Sequence, residues 1–279
     1  MTFKEALSEG TGMLRKAGVP GADYDARALL LFASGMSIEK LAASYGAELP
    51  GAAMKQYLHL LQRRMSREPL QYIMGTAPFY GRDFLVQRGV LIPRFDTETL
   101  IEAVLPYLKP MMRILDLCTG SGCILLTLLL EGPEGLEGTG SDISEEALYC
   151  ARKNAEQLHA EAAFVKSDLF ESIEGSFDLI TANPPYIRSS VIGSLEAEVK
   201  EFEPLTALDG NEDGLEFYRR ILREAGSHLR DGGRIALEIG FDQGSDVKSI
   251  MESEGFRDAA VLKDLAGLDR AVIGVWNYV

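Results

Sequence analysis

Four consecutive residues, Asn183-Pro184-Pro185-Tyr186, carry the most directed chemistry in this 279-residue chain. The prolines lack an N–H and hold φ at roughly −65°, so the backbone presents carbonyl acceptors without competing donors. One side-chain amide and one flat ring stand beside them. Such a shelf suits a planar group bearing an NH2. The apolar run Phe177-Asp178-Leu179-Ile180 ahead of it reads as a buried strand that the prolines cut short, which places the shelf at a strand's carboxyl end. By itself Pro-Pro is a turn closing a strand; a reading as a binding shelf depends on what lies upstream.

Upstream, Asp116-Leu117-Cys118-Thr119-Gly120-Ser121-Gly122 falls between a strand pattern and a helix pattern, where glycines let the backbone turn tightly against a ligand. The dinucleotide fingerprint G-x-G-x-x-G is absent, and Asp116 would repel a pyrophosphate. A ligand with an amino group and a sulfonium would welcome that carboxylate. Asp142 ends the next strand in Gly140-Ser141-Asp142, where it can accept both hydroxyls of a ribose. Asp168 follows the third strand, placed to accept from an adenine amino group while Leu169 or Phe170 covers the ring. Each aspartate alone is an ordinary cap or loop residue. S-adenosylmethionine is such a ligand, and three acids at three successive strand ends, with Asn183-Pro184-Pro185-Tyr186 at the fourth, are hard to dismiss as caps.

The elements that must position these residues follow from periodicity. Strands are predicted over 112–117, 136–141, 163–166, 177–181, 234–239, 259–262 and 271–276, with helices over 122–130, 144–158, 215–229 and 245–253 between them. Alternating strands and helices predict an α/β fold: a mostly parallel, seven-stranded, doubly wound sheet with ligands at its carboxyl edge. Residues 1–70 read as helices only, since Met54, Tyr57, Leu58, Leu61 and Met65 recur at helical spacing; Arg63 and Arg67 point away from that stripe to solvent. Gly75, Pro78, Gly81 and Gly89 punctuate β-prone pieces, which predicts a β-hairpin linker over 71–92. The larger domain then spans 93–279 and opens on a helix running to about Leu108, N-capped by Asp96 or Thr97.

Composition narrows the function. The net charge is −14. Residues 1–92 hold 11 basic against 8 acidic side chains, a balance of +3, leaving 17 against 34, or −17, for 93–279. An acidic larger domain is a poor partner for a nucleic-acid duplex, whose phosphates require a basic face. No apolar run is long enough to cross a bilayer, and the amino terminus lacks an apolar signal core. Three cysteines, Cys118, Cys123 and Cys150, have no C-x-x-C spacing, which argues against a disulfide framework and against a metal site. A cytoplasmic protein without membrane contact is expected.

Several stretches together carry a resemblance: Arg67-Glu68-Pro69-Leu70-Gln71-Tyr72-Ile73-Met74-Gly75, Leu91-Ile92-Pro93-Arg94-Phe95-Asp96-Thr97-Glu98, the loop 115–122, Asn183-Pro184-Pro185-Tyr186-Ile187, Phe202-Glu203-Pro204, Ala207-Leu208-Asp209-Gly210 and Leu237-Glu238-Ile239-Gly240. In order and spacing, over nearly its full length, the chain resembles the class I methyltransferases that modify the glutamine side-chain nitrogen of bacterial peptide-chain release factors. Departures are Phe95 where that family usually has Pro, Cys118 at the usual first Gly of the cofactor loop, and Asn211 where Gly is common.

The resemblance implies a Rossmann-like class I sheet with S-adenosylmethionine held by Asp116, Cys118, Thr119, Gly120, Ser121, Gly122, Asp142, Asp168, Leu169 and Asn183. It implies that Asn183, Pro184, Pro185 and Tyr186 receive the glutamine of a Gly-Gly-Gln motif. The Asn183 side-chain oxygen and the Pro184 carbonyl would accept the two amide hydrogens while Tyr186 packs on the amide plane. It implies too a monomer that binds the release factor, not nucleic acid, partly through the helical domain, where Arg63, Arg64 and Arg67 are the nearest charges. Glu238 is open between a ligand-seating role and a buried structural one. His59, His159 and His228 lie beside none of the motifs. Two other functions use the same residues: an adenine-N6 methyltransferase acting on a flipped base of DNA or RNA, and a non-catalytic cofactor-binding assembly factor.

Overall fold

The computed structural model describes residues 1–278. The chain forms two compact units, one built from Met1–Gly75 and Glu196–Phe202, the other from the remainder. Among the described residues no helix is long and apolar enough to cross a membrane.

The first unit is helical: α1 (Phe3–Lys16), α2 (Ala22–Ser34), α3 (Ile38–Ala43), α4 (Gly51–Met65) and α5 (Leu70–Met74). A capping box starts α1, with the Thr2 hydroxyl accepting from the Glu5 N–H and the Glu5 carboxylate accepting from the Thr2 N–H at 2.8 Å. Phe3, Leu14, Leu29, Leu30, Tyr57 and Leu61 fill the interior. Gly10 is required by packing, because a Cβ there would lie 2.1 Å from the Tyr57 hydroxyl oxygen.

The arginines at the end of α4 correct the expectation of a solvated basic face. Arg63 donates to the Glu68 carboxylate at 2.6 and 2.8 Å. Arg64 is buried and joins Asp25 at 2.7 Å to Glu198 at 2.9 Å. Arg67 also donates to Glu198, at 2.7 Å. Burial pushes the Glu198 carboxyl up, but the hydrogen bonds from Arg67 and Arg64 prevail and hold it down at about 2. The segment 196–202 is thus tied into the helical unit by a charge network that local periodicity does not reveal.

The hairpin is shorter than the predicted linker. Residues 71–74 belong to α5, which ends at Gly75 in the left-handed region, and the strands are β1 (Thr76–Phe79) and β2 (Arg82–Leu85), paired antiparallel. Phe79 and Phe84 meet edge to face at 5.9 Å, fully buried with Leu100, Ile101 and Leu125 in one core of the second unit. The hairpin is part of that unit.

Seven further strands form its sheet: β3 (Arg113–Leu117), β4 (Glu137–Asp142), β5 (Ala162–Lys166), β6 (Phe177–Ala182), β7 (Leu229–Glu238), β8 (Arg257–Lys263) and β9 (Asp269–Val275). Their order is β5-β4-β3-β6-β7-β9-β8, all parallel except β9, which runs antiparallel between β7 and β8. The longer helices are α6 (Glu98–Val104), α7 (Cys123–Glu131), α8 (Glu145–Leu158), α9 (Glu216–His228) and α10 (Gly244–Ser253). Along β3 and β6 successive side chains enter opposite cores. Ile114 and Leu179 share theirs with Leu100, Ile101, Ile124 and Leu128, whereas Leu115, Leu117 and Ile180 join Tyr218, Ile221, Val247 and Met251. Both faces of the sheet are therefore covered, and the strands read as near-continuous apolar runs.

The helix opening this unit is shorter than predicted. Pro106 has no N–H to continue the ladder, so α6 stops at Val104 and passes into a 3-10 turn, Leu105–Tyr107. Thr97 precedes α6 without capping it, because its backbone is already helical, at φ −63° and ψ −21°.

Candidate active site

The carboxyl ends of β3, β4, β5 and β6 converge on a cavity of about 390 Å³ within the second unit. After β3 the chain turns through Cys118 and Gly120, both at positive φ, and enters α7. Gly122 has φ +79° and lies so close to α8 that a Cβ would stand 3.2 Å from that of Ala151. Cys118 holds φ +54° and Asn211 φ +70°, the left-handed region that glycine enters without steric cost.

Cys118, Thr119, Gly120 and Ser121 line the cavity. Asp116, expected at the cofactor, is not part of that lining. It is fully buried, accepting from the Thr119 hydroxyl at 2.6 Å and from the Thr181 hydroxyl at 2.7 Å. Burial drives its carboxyl up to about 7 against the pull of those two hydrogen bonds. Gly122 also lies outside the lining, acting through close packing.

Asp142 stands in the cavity wall and fastens two neighbouring segments. Its Oδ2 accepts from the Gly120 N–H and its Oδ1 from the Ser144 N–H, each at 2.9 Å. Burial raises its pKa. Asp168 lines the wall after β5 and pairs with Arg220 of α9 at 2.9 Å. Leu169, at φ +50°, also faces the cavity, whereas Phe170 enters the core and stacks on His228 at 4.6 Å. Of the two candidates to cover a ring, only Leu169 lines the cavity.

At the end of β6, Asn183 and Pro185 line the cavity. Neither Pro184, which is buried, nor Tyr186, which is half-buried against the core, is part of that lining. Burial also raises the Tyr186 hydroxyl well above its ordinary range. Glu238 is 1% exposed, with its carboxyl pushed up to about 7 by burial and Oε2 unpartnered among the described residues.

Gly89 to Leu91, Ile143, and Leu205 to Ala207 also line the cavity; of these only Leu91 and Ala207 lie in stretches quoted for the resemblance. Arg94 also lines it and donates to both oxygens of the buried Glu203, at 2.6 and 2.7 Å. Both belong to stretches quoted for the resemblance, but only their pairing across 109 residues of sequence assigns them a place at the site.

The donor set fits S-adenosylmethionine. Two carboxylates, Asp142 and Asp168, line the cavity, the backbone turns tightly at Gly120, and Leu169 and Ile143 supply apolar surface for a flat ring. The sheet order, the reversed β9 and a cavity over the strand ends define a class I methyltransferase. A methyltransferase of Pyrococcus furiosus has the same fold, with a TM-score of 0.55 at 20% identity, covering 80% of this chain and 98% of its own. The PrmC N-terminal domain model matches residues 5–75, and the methyltransferase small domain model matches 94–197. The release factor glutamine methyltransferase of Agrobacterium fabrum (strain C58 / ATCC 33970) is 40% identical over 279 residues, covering 97% of this chain and 96% of its own. That of Neisseria gonorrhoeae (strain ATCC 700825 / FA 1090) is 41% identical over 277 residues, covering 98% and 97%. This chain belongs to the release factor glutamine methyltransferase family.

Proposed function

We propose that the protein transfers a methyl group from S-adenosylmethionine to the side-chain amide nitrogen of a glutamine, in a Gly-Gly-Gln segment of a peptide-chain release factor. The observation that carries this reading is Asn183 in the wall of a cavity whose other walls hold Asp142 and Asp168. On this reading an amide-recognising side chain would lie beside the methyl donor.

Asp142 would hold the ribose hydroxyls, Asp168 the adenine amino group and Leu169 the ring face. Cys118, Thr119, Gly120 and Ser121 would form the turn around the rest of the cofactor, with Asp116 and Gly122 shaping that turn from behind. When bound, the cofactor would supply a sulfonium methyl group, its S–C bond breaking to leave a neutral thioether as the N–C bond forms, and the methylated nitrogen would release one amide proton to solvent. An amide nitrogen is a weak nucleophile because its lone pair is delocalised into the carbonyl. Asn183 and the Pro184 carbonyl would accept its two hydrogens, Pro185 would shape the shelf and Tyr186 would fix the amide plane. These acceptors strengthen as positive charge grows on nitrogen, so positioning and electrostatics carry the rate.

The −17 balance over residues 93–279 favours a protein substrate over a nucleic acid. A single glutamine buries too little area to select one protein, so we assign the helical unit to substrate recognition. The enzyme is read as a cytoplasmic monomer. Incubation with a methyl-labelled cofactor and either release factor or nucleic acid tests the reading. Label is expected on a release-factor glutamine, located by mass spectrometry. Label on nucleic acid alone, or on neither, would overturn it.

A further inference from the structure

The shelf residue Tyr186 is clamped through its backbone by a side chain from a distant element. Gln243, 2% exposed and immediately before α10, donates from Nε2 to the Tyr186 carbonyl at 3.1 Å and to the Gly214 carbonyl at 3.2 Å. Its Oε1 accepts from the Gly240 N–H at 2.9 Å, just beyond β7. That third bond fixes the orientation of the amide, so both Nε2 hydrogens are directed at the two carbonyls. One side chain thus joins the segment after β6, the segment before α9 and the end of β7.

Two glycines press on the same residue. A Cβ at Gly210 would lie 2.8 Å from both C and Cα of Tyr186, and one at Gly214 would lie 2.4 Å from the Tyr186 oxygen. Ile187, the next residue, donates to the Leu208 carbonyl at 3.0 Å and accepts from the Gly210 N–H at 2.8 Å. The backbone at 186–187 is therefore fixed on two sides. Gln243 itself does not line the cavity.

We propose that Gln243 is a positioning residue for methyl transfer: its amide holds the Tyr186 carbonyl, with Gly210 and Gly214 as the surfaces it is held against, and so sets the shelf on which the substrate amide lies. The proposal rests on the glutamine-methylation reading. A buried amide with every group engaged is a strong geometric constraint, and misplacement of a reacting group by about 1 Å costs on the order of 10²-fold in rate.

Gln243→Glu is nearly isosteric but loses the donors to both carbonyls, and Gln243→Met keeps the volume without any polar group. For both, kcat on intact release factor is expected to fall by about 10- to 100-fold. Cofactor affinity by calorimetry and KM for release factor should stay within about threefold, a split that general loss of structure would not give. Gly210→Ala crowds the Tyr186 backbone directly and should reproduce the split if either Gln243 variant fails to fold. A crystal structure of Gln243→Met reads positioning without turnover, and displacement of Tyr186 is expected. Unchanged kcat in folded variants, or Tyr186 unmoved in that crystal, would overturn the proposal. Wild-type protein inactive on release factor overturns the methylation reading instead, and Tyr186 displacement still decides whether Gln243 positions it.

Discussion

Asp116 and Thr181 face one another across the β3–β6 seam, in register, with the Thr181 hydroxyl donating to Asp116 Oδ1 at 2.7 Å. The Thr119 hydroxyl occupies the other carboxylate oxygen, so Asp116 links strand, glycine turn and neighbouring strand from behind the cavity. Burial raises its folded pKa to about 7, from 3.8. A carboxyl whose pKa is raised on folding holds its proton more tightly in the folded state. Its favourable contribution is full below about pH 4 and is lost as pH rises through about 7. Asp116→Asn, which has no such titration, should gain stability relative to wild type as pH rises from about 4 to about 8. Thermal melts across that range check it, and parallel curves would refute it.

Asn183→Ala should lower turnover far more than cofactor affinity, because the deleted acceptor acts mainly as charge develops on nitrogen. The expected loss in kcat is on the order of 10²–10³. Single-turnover methylation together with calorimetry checks it. Comparable turnover in mutant and wild type would reject the shelf as the site of chemistry.

Asp142→Ala removes the acceptor for the Gly120 and Ser144 N–H groups at once. Cofactor affinity should fall at least about tenfold, and stability by about 1–3 kcal/mol from two N–H groups losing their partner. Calorimetric titration and urea unfolding measure the two effects separately. A loss of stability with cofactor affinity intact would show that Asp142 only braces the loop.

Arg64→Ala leaves Asp25 and Glu198 without their shared buried cation, which should destabilise the helical unit by about 3–5 kcal/mol. Arg63→Ala, at a partly exposed pair, should cost no more than about 1 kcal/mol. Denaturant titrations of both variants test the contrast. Equal effects would mean that the Arg64 network is not the brace the geometry indicates.

Glu198 supplies the complementary pH test. Its folded pKa, lowered to about 2 from 4.5, makes its contribution full above about pH 4.5 and lost as pH falls through about 2. Protection of the α4 amides against hydrogen exchange should therefore decline in wild type across that interval, whereas Glu198→Gln should start lower and decline less. Identical pH profiles for the two proteins would exclude this linkage.

The sequence by itself determined the alternation of strands and helices, the seven-stranded sheet and the polar residues at four strand ends. Those features are local: apolar runs of strand length, helical spacing and glycine or proline at turns impose them within a few residues. The sheet then brings 118–121, Asp142, Asp168 and Asn183 to one edge because parallel strands all end on the same side. Which way a side chain points, and what it finds there, was decided only by the tertiary structure. Asp116 turns behind the loop because Thr181 lies opposite it in the neighbouring strand, 65 residues away. Arg64 and Arg67 leave solvent because Glu198, more than 130 residues on, returns to the helical unit. Arg94 finds Glu203 and Gln243 finds Tyr186 in the same way. A hydrogen bond is directional and short, so partners distant in sequence have no periodicity that records them; only the folded path of the chain brings them within reach.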